Sequence, residues 1–332
     1  MLSNSFLSKW YGIGVILMIF MIALGGITRL TDSGLSMVNW NPVSGVIPPL
    51  NLSDWQNEFD NYKSYPEYQE RNSDLTLSEF KLIFFWEYFH RMMGRLIGLF
   101  FIVPFIYFLF KKALPQVEIK NTLIIILLII LQGLLGWYMV QSGLDNAYVN
   151  HFRLMLHFMM AVLLISFTYW HYLRNIKLKI NKPTISFNQS VLIFILVLMQ
   201  IIFGTFTAGL EAGKIYNTFP MMNGSFFPVS IIFNDSMGII ENLFYNHAAV
   251  QYIHRLIGFS LLILSFKILF NNYQHKKLDT PDQILAILLV IQFLLGVITL
   301  ITSVNIYFSV LHQVNASLIV LACIKTIYIT KN

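Results

Sequence analysis

Glu87-Tyr88-Phe89-His90-Arg91-Met92-Met93-Gly94 returns, 164 residues later, as Gln251-Tyr252-Ile253-His254-Arg255-Leu256-Ile257-Gly258. Each copy is followed by one further histidine in an apolar setting: His157 in Leu154-Met155-Leu156-His157-Phe158, and His312 in Val310-Leu311-His312-Gln313. An imidazole in hydrocarbon costs free energy unless its nitrogens find partners. Four of them in two pairs point to two metal centres, and haem iron is the metal that commonly takes axial histidines in membrane helices. The natural pairs are His90 with His157 and His254 with His312, with an iron about 2 Å from each imidazole nitrogen. Arg91 and Arg255 directly follow a histidine and could reach haem propionates by bidentate pairing.

The surroundings of these motifs set the fold class. The chain of 332 residues is 56% hydrophobic and 11% charged, whereas a soluble domain carries about 25% charged residues. It reads as an all-α integral membrane protein. Apolar runs long enough to span, roughly 20 residues each, fall at about 10–30, 82–110, 121–141, 153–174, 189–209, 249–270, 282–303 and 306–329.

Lys111, Lys112 and Lys120, then Arg174, Lys177, Lys179 and Lys182, then Lys276 and Lys277 occupy alternate connections, with Lys9 and Lys331 at the ends. By the positive-inside rule these lie on one side, so both termini are expected in the cytoplasm. Asp32, Asp54, Glu58, Asp60, Glu67, Glu70, Asp74 and Glu79 gather in the first outer loop, roughly 31–80. The net charge of +6 follows from this topology and does not point to nucleic acid; the surrounding partner is membrane lipid. The first span reads as an uncleaved helix with no Arg-rich transit segment ahead of it, which favours a bacterial inner membrane over a mitochondrial one. Cys323 is the sole cysteine, so neither an intramolecular disulfide nor a cysteine metal site is available.

The remaining spans repeat as well. Leu131-Gln132-Gly133-Leu134-Leu135-Gly136 resembles Ile291-Gln292-Phe293-Leu294-Leu295-Gly296; Met199-Gln200-Ile201-Ile202-Phe203-Gly204 is a relative, with Gly25 as its counterpart in the first span. The expected organisation is therefore two repeated four-helix bundles, residues 1–180 and 181–332. Glycine pairs such as Gly133 and Gly136 read as close helix packing. His151, His171, His247 and His275 sit at span ends or in loops, where solvated roles are expected. The four paired histidines are each expected within the first two or three turns of a span that runs inward from the outer side.

Glu87 lies three residues before His90 and shares its helix face. A di-iron carboxylate centre would need Glu-x-x-His twice plus two more glutamates, and the second copy has Gln251 in place of the acid. This asymmetry suggests that one half does chemistry while the other holds a permanent haem, and a carboxylate beside a haem could take up protons or orient water during an oxidation. The first outer loop exceeds a usual connection, which suits a functional cap. Both it and the second large outer loop, about 210–248, are expected to fold over the haem edges.

In order along the chain stand Gly25-Gly26-Ile27-Thr28-Arg29-Leu30-Thr31-Asp32-Ser33-Gly34-Leu35-Ser36, Trp40 with Pro42, Pro48-Pro49, Pro66-Glu67-Tyr68, Glu79-Phe80-Lys81 and Trp86 to Arg91. Thr207-Ala208-Gly209-Leu210, Ala212-Gly213, Tyr216-Asn217-Thr218-Phe219-Pro220, Glu241-Asn242 and Gln251 to Arg255 complete the series. In this order and spacing the chain resembles the haem A synthases of the proteobacterial and mitochondrial type, along nearly its whole length.

The resemblance implies oxidation of the C8 methyl of haem O to the formyl of haem A by two hydroxylations, through an alcohol and a hydrated aldehyde, with water supplying the oxygen. It implies a resident haem b on His254 and His312, a substrate haem at His90 and His157, and a role in turnover for Glu87. It further implies delivery of haem O from the farnesylating haem O synthase and a product destined for cytochrome oxidase assembly. The electron acceptor and any homo-oligomer are left open. Some family members carry a cysteine pair in the first outer loop; this chain has none. The alternatives are a di-haem b-type membrane electron-transfer protein without chemistry of its own, which leaves the single Glu87 unexplained, and a repeat-built transporter using histidine proton relays.

Overall fold

The structure is a computed structural model that describes residues 2–39, 44–178, 181–277 and 279–331. Trp40, Pro42 and Lys179, used above, lie outside the described residues. Among the described residues thirteen α-helices follow one another: α1 (Asn4–Leu30), α2 (Leu52–Lys63), α3 (Pro66–Arg71), α4 (Leu77–Phe110), α5 (Gln116–Gln141), α6 (His151–Arg174) and α7 (Phe187–Gly209). After them come α8 (Ala212–Ile215), α9 (Val229–Ile232), α10 (Ile239–Tyr245), α11 (His247–Gln274), α12 (Pro281–Ile301) and α13 (Ile306–Lys331). Among the described residues there is no β-strand, only an isolated bridge between Met222 and Ser225.

Eight of these helices, α1, α4, α5, α6, α7, α11, α12 and α13, are long and apolar enough to cross a membrane. The protein is a multi-pass membrane protein. Large apolar side chains such as Ile16, Leu82, Phe110 and Ile263 remain open on their outer faces, which suits hydrocarbon and would be unfavourable in water.

The helix starts are written locally. Thr76 and Glu79 form a reciprocal capping box at α4, and Ser186 with Gln189 forms another at α7. Thr280 caps α12, whose first residue is Pro281. Asn246 accepts from the backbone N–H groups of Ala248 and Ala249 at the head of α11.

Two compact units divide the chain. The first comprises Met1–Ser3 and Ile13–Leu164, the second Asn4–Gly12 and Ile165–Asn332. In the second unit α7, α11, α12 and α13 close a ring, α7 packing on α11 and α13, and α12 on α11 and α13. In the first unit α4 packs on α5, α1 meets α4 where Gly25 faces His90, and α5 meets α6 where Gly136 faces His157.

The first outer loop is a folded cap. Leu35, Met37, Val38, Phe59, Tyr62, Phe80, Phe84 and Leu144 form its core. Phe59 and Phe80 stack with ring centres 5.0 Å apart, and Tyr62 stacks on Phe80 at 5.3 Å. Because α4 begins at Leu77 so that Phe80 and Phe84 reach this core, His90 is the fourteenth residue of its helix. It therefore lies in the fourth turn, deeper along its helix than the two or three turns expected, whereas His157, His254 and His312 are the seventh, eighth and seventh residues of theirs.

Candidate haem-binding site

Each of the four histidines rests on a glycine of a neighbouring span. A Cβ added at Gly25 would lie 3.2 Å from His90 Nε2, and one at Gly136 3.1 Å from His157 Cε1. The same addition at Gly204 would lie 2.8 Å from His254 Cε1, and at Gly296 3.0 Å from His312 Cε1. The glycines read in the sequence as packing residues are thus seats for imidazole rings, one per histidine, on α1, α5, α7 and α12.

One turn before three of these seats stands a glutamine that holds the ring. Gln132 Nε2 donates to His157 Nε2 at 3.1 Å and to the His157 carbonyl at 3.2 Å. Gln200 Nε2 lies 3.4 Å from His254 Nε2, and Gln292 Nε2 lies 3.2 Å from His312 Nε2. Gln292 is itself fixed by Asn315, whose Nδ2 donates to its Oε1 at 2.7 Å and to the Leu288 carbonyl at 3.0 Å. The place equivalent to Gln200 on α1 is taken by Met21: Met21 Cε approaches Gly94 as Gln200 Nε2 approaches Gly258. His90 is the histidine whose seat carries no glutamine.

In the second unit, the residues present fit a bis-histidine haem. The His254 and His312 ring centres are 6.5 Å apart, and an iron about 2 Å from one nitrogen of each ring requires roughly that spacing. His254 Nδ1 donates to the Gln200 carbonyl at 3.1 Å, which puts the lone pair on Nε2, where the Gln200 amide approaches and where a metal would take its place, the usual arrangement behind a metal-bound imidazole. Arg255 Nη2 donates to the Tyr216 carbonyl and to Gln251 Oε1, both at 2.9 Å. Among the described residues its Nε and Nη1 are buried without a partner, a cost that a buried anionic group such as a propionate would relieve. A cleft of about 240 Å³ opens beside it, lined by Pro220, Tyr252, Leu256 and Phe259 among others.

In the first unit, His90 and His157 lie within electrostatic reach of each other. Glu87 is 3% exposed, so it does not face solvent at the helix start. Its Oε1 pairs with Arg91 Nη2 at 2.5 Å, and its Oε2 accepts from the Ser36 hydroxyl at 2.7 Å and the Met37 N–H at 2.8 Å. Arg91 Nη2 also donates to the Met37 carbonyl at 2.8 Å.

The second unit repeats this device with polarity reversed. Gln251 Nε2 donates to the carbonyls of Ala212 and Tyr216 at 2.9 and 3.1 Å, where Glu87 accepts. The exchange of Glu87 for Gln251 is therefore matched by the loops: the one after α1 offers donors and the one after α7 offers acceptors. Arg91, expected to reach a propionate, donates instead to Glu87 and to the Met37 and Asn39 carbonyls of the loop.

Sequence reasoning passed over Ser36, Met37 and the three glutamines as functional groups. The Gln-x-x-x-Gly strings were the available signal, but only the packing of the spans sets each amide against a ring. His151 and His171, expected to be solvated, are 6% and 4% exposed. The His171 ring packs 4.5 Å from that of Phe167, because a span end that meets neighbouring helices is enclosed by them.

The family of cytochrome oxidase assembly proteins (COX15-CtaA) matches residues 8–324. A haem A synthase of Rickettsia africae (strain ESF-5) is 39% identical over 339 residues, covering 100% of both chains. A haem A synthase of Flavobacterium johnsoniae is 40% identical over 327 residues, covering 96% of each, and one of Rickettsia bellii (strain RML369-C) is 40% identical over 337 residues, covering 98% of each. With repeated histidine seats, a folded cap and a match over nearly its full length, the chain belongs to the cytochrome oxidase assembly protein family, COX15-CtaA.

Proposed function

We propose that this chain is a haem A synthase that oxidises the C8 methyl of haem O to the formyl of haem A for cytochrome oxidase. The first unit takes haem O as substrate at His90 and His157, and the second keeps a resident haem b on His254 and His312. The observation that carries this division is the asymmetry inside a shared frame. Glu87 stands where the second unit has Gln251, and Met21 stands where it has Gln200. The closed ring of α7, α11, α12 and α13 suits a permanent cofactor, and a His90 seat with Met21 in place of a glutamine suits one that must enter and leave.

Each hydroxylation with water as oxygen source consumes one water and releases two protons and two electrons, the electrons leaving to a one-electron acceptor. A bound haem iron supplies the one-electron redox chemistry. The chain's own residues do the rest. Glu87 lies one turn from His90 with a carboxylate able to exchange protons at its Oε atoms. Arg91, Ser36 and Met37 fix that carboxylate, and the aromatic core of the cap keeps bulk water out. Arg255, with two unpartnered donor atoms, anchors a propionate of the resident haem. In this reading the chain sits in a bacterial plasma membrane, termini inward, with a farnesylating haem O synthase as its supplier.

The test is chromatography with mass spectrometry of haems extracted from membranes that make this chain together with a haem O synthase. Haem A or its hydroxylated precursor, missing from a His90→Ala control, supports the proposal. Haems B and O alone, from folded haem-loaded protein, would refute it.

A further inference from the structure

The two copies of the frame differ at one more place, a turn along from the histidine seats. Phe259 stands five residues after His254 on α11, and Phe293 three residues before the Gly296 seat on α12. Their ring centres are 5.0 Å apart. Phe219, from the connection after α7, closes on both, at 5.9 Å from Phe259 and 6.0 Å from Phe293. Stacked and edge-to-face rings at these distances make a packed plug between α11 and α12.

In the first unit, the register that sets His90 against His254 sets Arg95 against Phe259, and the one that sets Gln132 against Gln292 sets Gly133 against Phe293. Both rings are gone. Arg95 turns back along its own helix, its Nη1 donating to Met92 Sδ at 3.7 Å. Gly133 is exposed, and among the described residues no atom lies within 4 Å of a Cβ added there. One turn beyond, α4 and α5 close again, where a Cβ at Gly98 would meet Ile129 Cγ2 at 3.9 Å. The α4–α5 edge of the first unit is thus open where the α11–α12 edge of the second is plugged.

We propose that the opening at Gly133 and Arg95 takes the farnesyl chain of haem O, and that Phe219, Phe259 and Phe293 keep that chain out of the second unit. The inference rests on the assignment of haem O to the first unit made above. Haem O bears a farnesyl-carrying hydroxyethyl group where haem b has a vinyl, so the two differ chiefly in the apolar room that they need. Three packed rings cannot yield that room without losing their own contacts. The second unit therefore selects by exclusion and the first by accommodation. A chain held at one edge also fixes the rotation of the ring, so that the same methyl is presented at each turnover. A methyl at Gly133 leaves the opening free, whereas a phenyl ring fills it. Gly133 and Arg95 position the substrate and touch no reacting atom.

The test is haem composition per polypeptide, by chromatography of haems extracted from protein purified out of membranes that also make a haem O synthase. The native chain should hold haem B together with farnesylated haems, whether O, A or the hydroxylated form. Gly133→Phe should keep haem B and lose the farnesylated haems about tenfold or more; an undiminished farnesylated fraction would overturn the proposal. If Gly133→Phe loses haem B as well, a His90→Ala chain that also carries Phe259→Ala and Phe293→Gly decides. Farnesylated haem on its remaining pair, His254 and His312, supports the plug, and haem B alone overturns it. A native chain that binds farnesylated haem but never oxidises it fails the synthase reading, with Gly133→Phe still deciding the tail site. A native chain with haem B alone overturns the tail site itself.

Discussion

Gly204→Ala tests whether the histidine seats hold the resident haem. The new methyl would sit 2.8 Å from His254 Cε1 and 3.3 Å from its Nδ1. Ordinary contact begins near 3.4 Å, so ring and helix must separate by about 0.6 Å. The ring cannot turn away freely, because its Nδ1 is tied to the Gln200 carbonyl at 3.1 Å on the same helix as the glycine. Overpacking of this kind costs about 1–3 kcal/mol. If that strain falls on the bound geometry, haem affinity drops about 5- to 150-fold. The assay is haem b per polypeptide, with the reduced-minus-oxidised optical spectrum, in purified protein. Gly133→Ala is the control, since no atom lies within 4 Å of its added methyl, and it should leave both units unchanged. Full haem b with an unshifted spectrum in Gly204→Ala would refute the argument that the glycine seat sets the imidazole position.

Met21→Gln gives the His90 seat the glutamine that the other three seats have; it should raise haem retained at His90 and His157 and slow turnover, read as haem stoichiometry against haem A yield. Glu87→Gln should keep haem b but lower haem A formation about a hundredfold or more, because the amide also sets a donor against the Met37 N–H and Ser36 hydroxyl; haem extraction measures both. His254→Ala should lose the resident haem while His90→Ala keeps it, distinguished by optical spectra of the purified variants. The cap should also answer to pH. Glu67 is raised from 4.5 to about 8, so across that window the folded cap binds a proton that the unfolded loop does not. Its contribution is full below about 4.5 and declines as pH rises to about 8, so proteolysis of residues 50–75 should quicken over that range, and Glu67→Gln should flatten the trend.

Spans, motif copies and the Glu87 to Gln251 exchange were legible in the chain itself. Apolar length and helical period are local properties, and a duplicated string needs no coordinates to be seen. The caps at Thr76, Ser186 and Thr280 are local too, since each joins residues three apart. What the sequence leaves open depends on which faces meet. Gln132 and Gln292 look like neutral members of a packing motif until α6 and α13 bring a histidine against each. Met21 is unremarkable until its place matches that of Gln200. Glu67 reads as one acid among many in a polar loop, and only the stacking of Phe59, Tyr62 and Phe80 buries it. Sequence by itself determined the membrane helices and the four histidines, because hydrophobicity and repetition act along the chain. Tertiary structure decided the seats, the glutamine clamps and the buried second carboxyl, because steric contact and desolvation arise only between segments brought together in space.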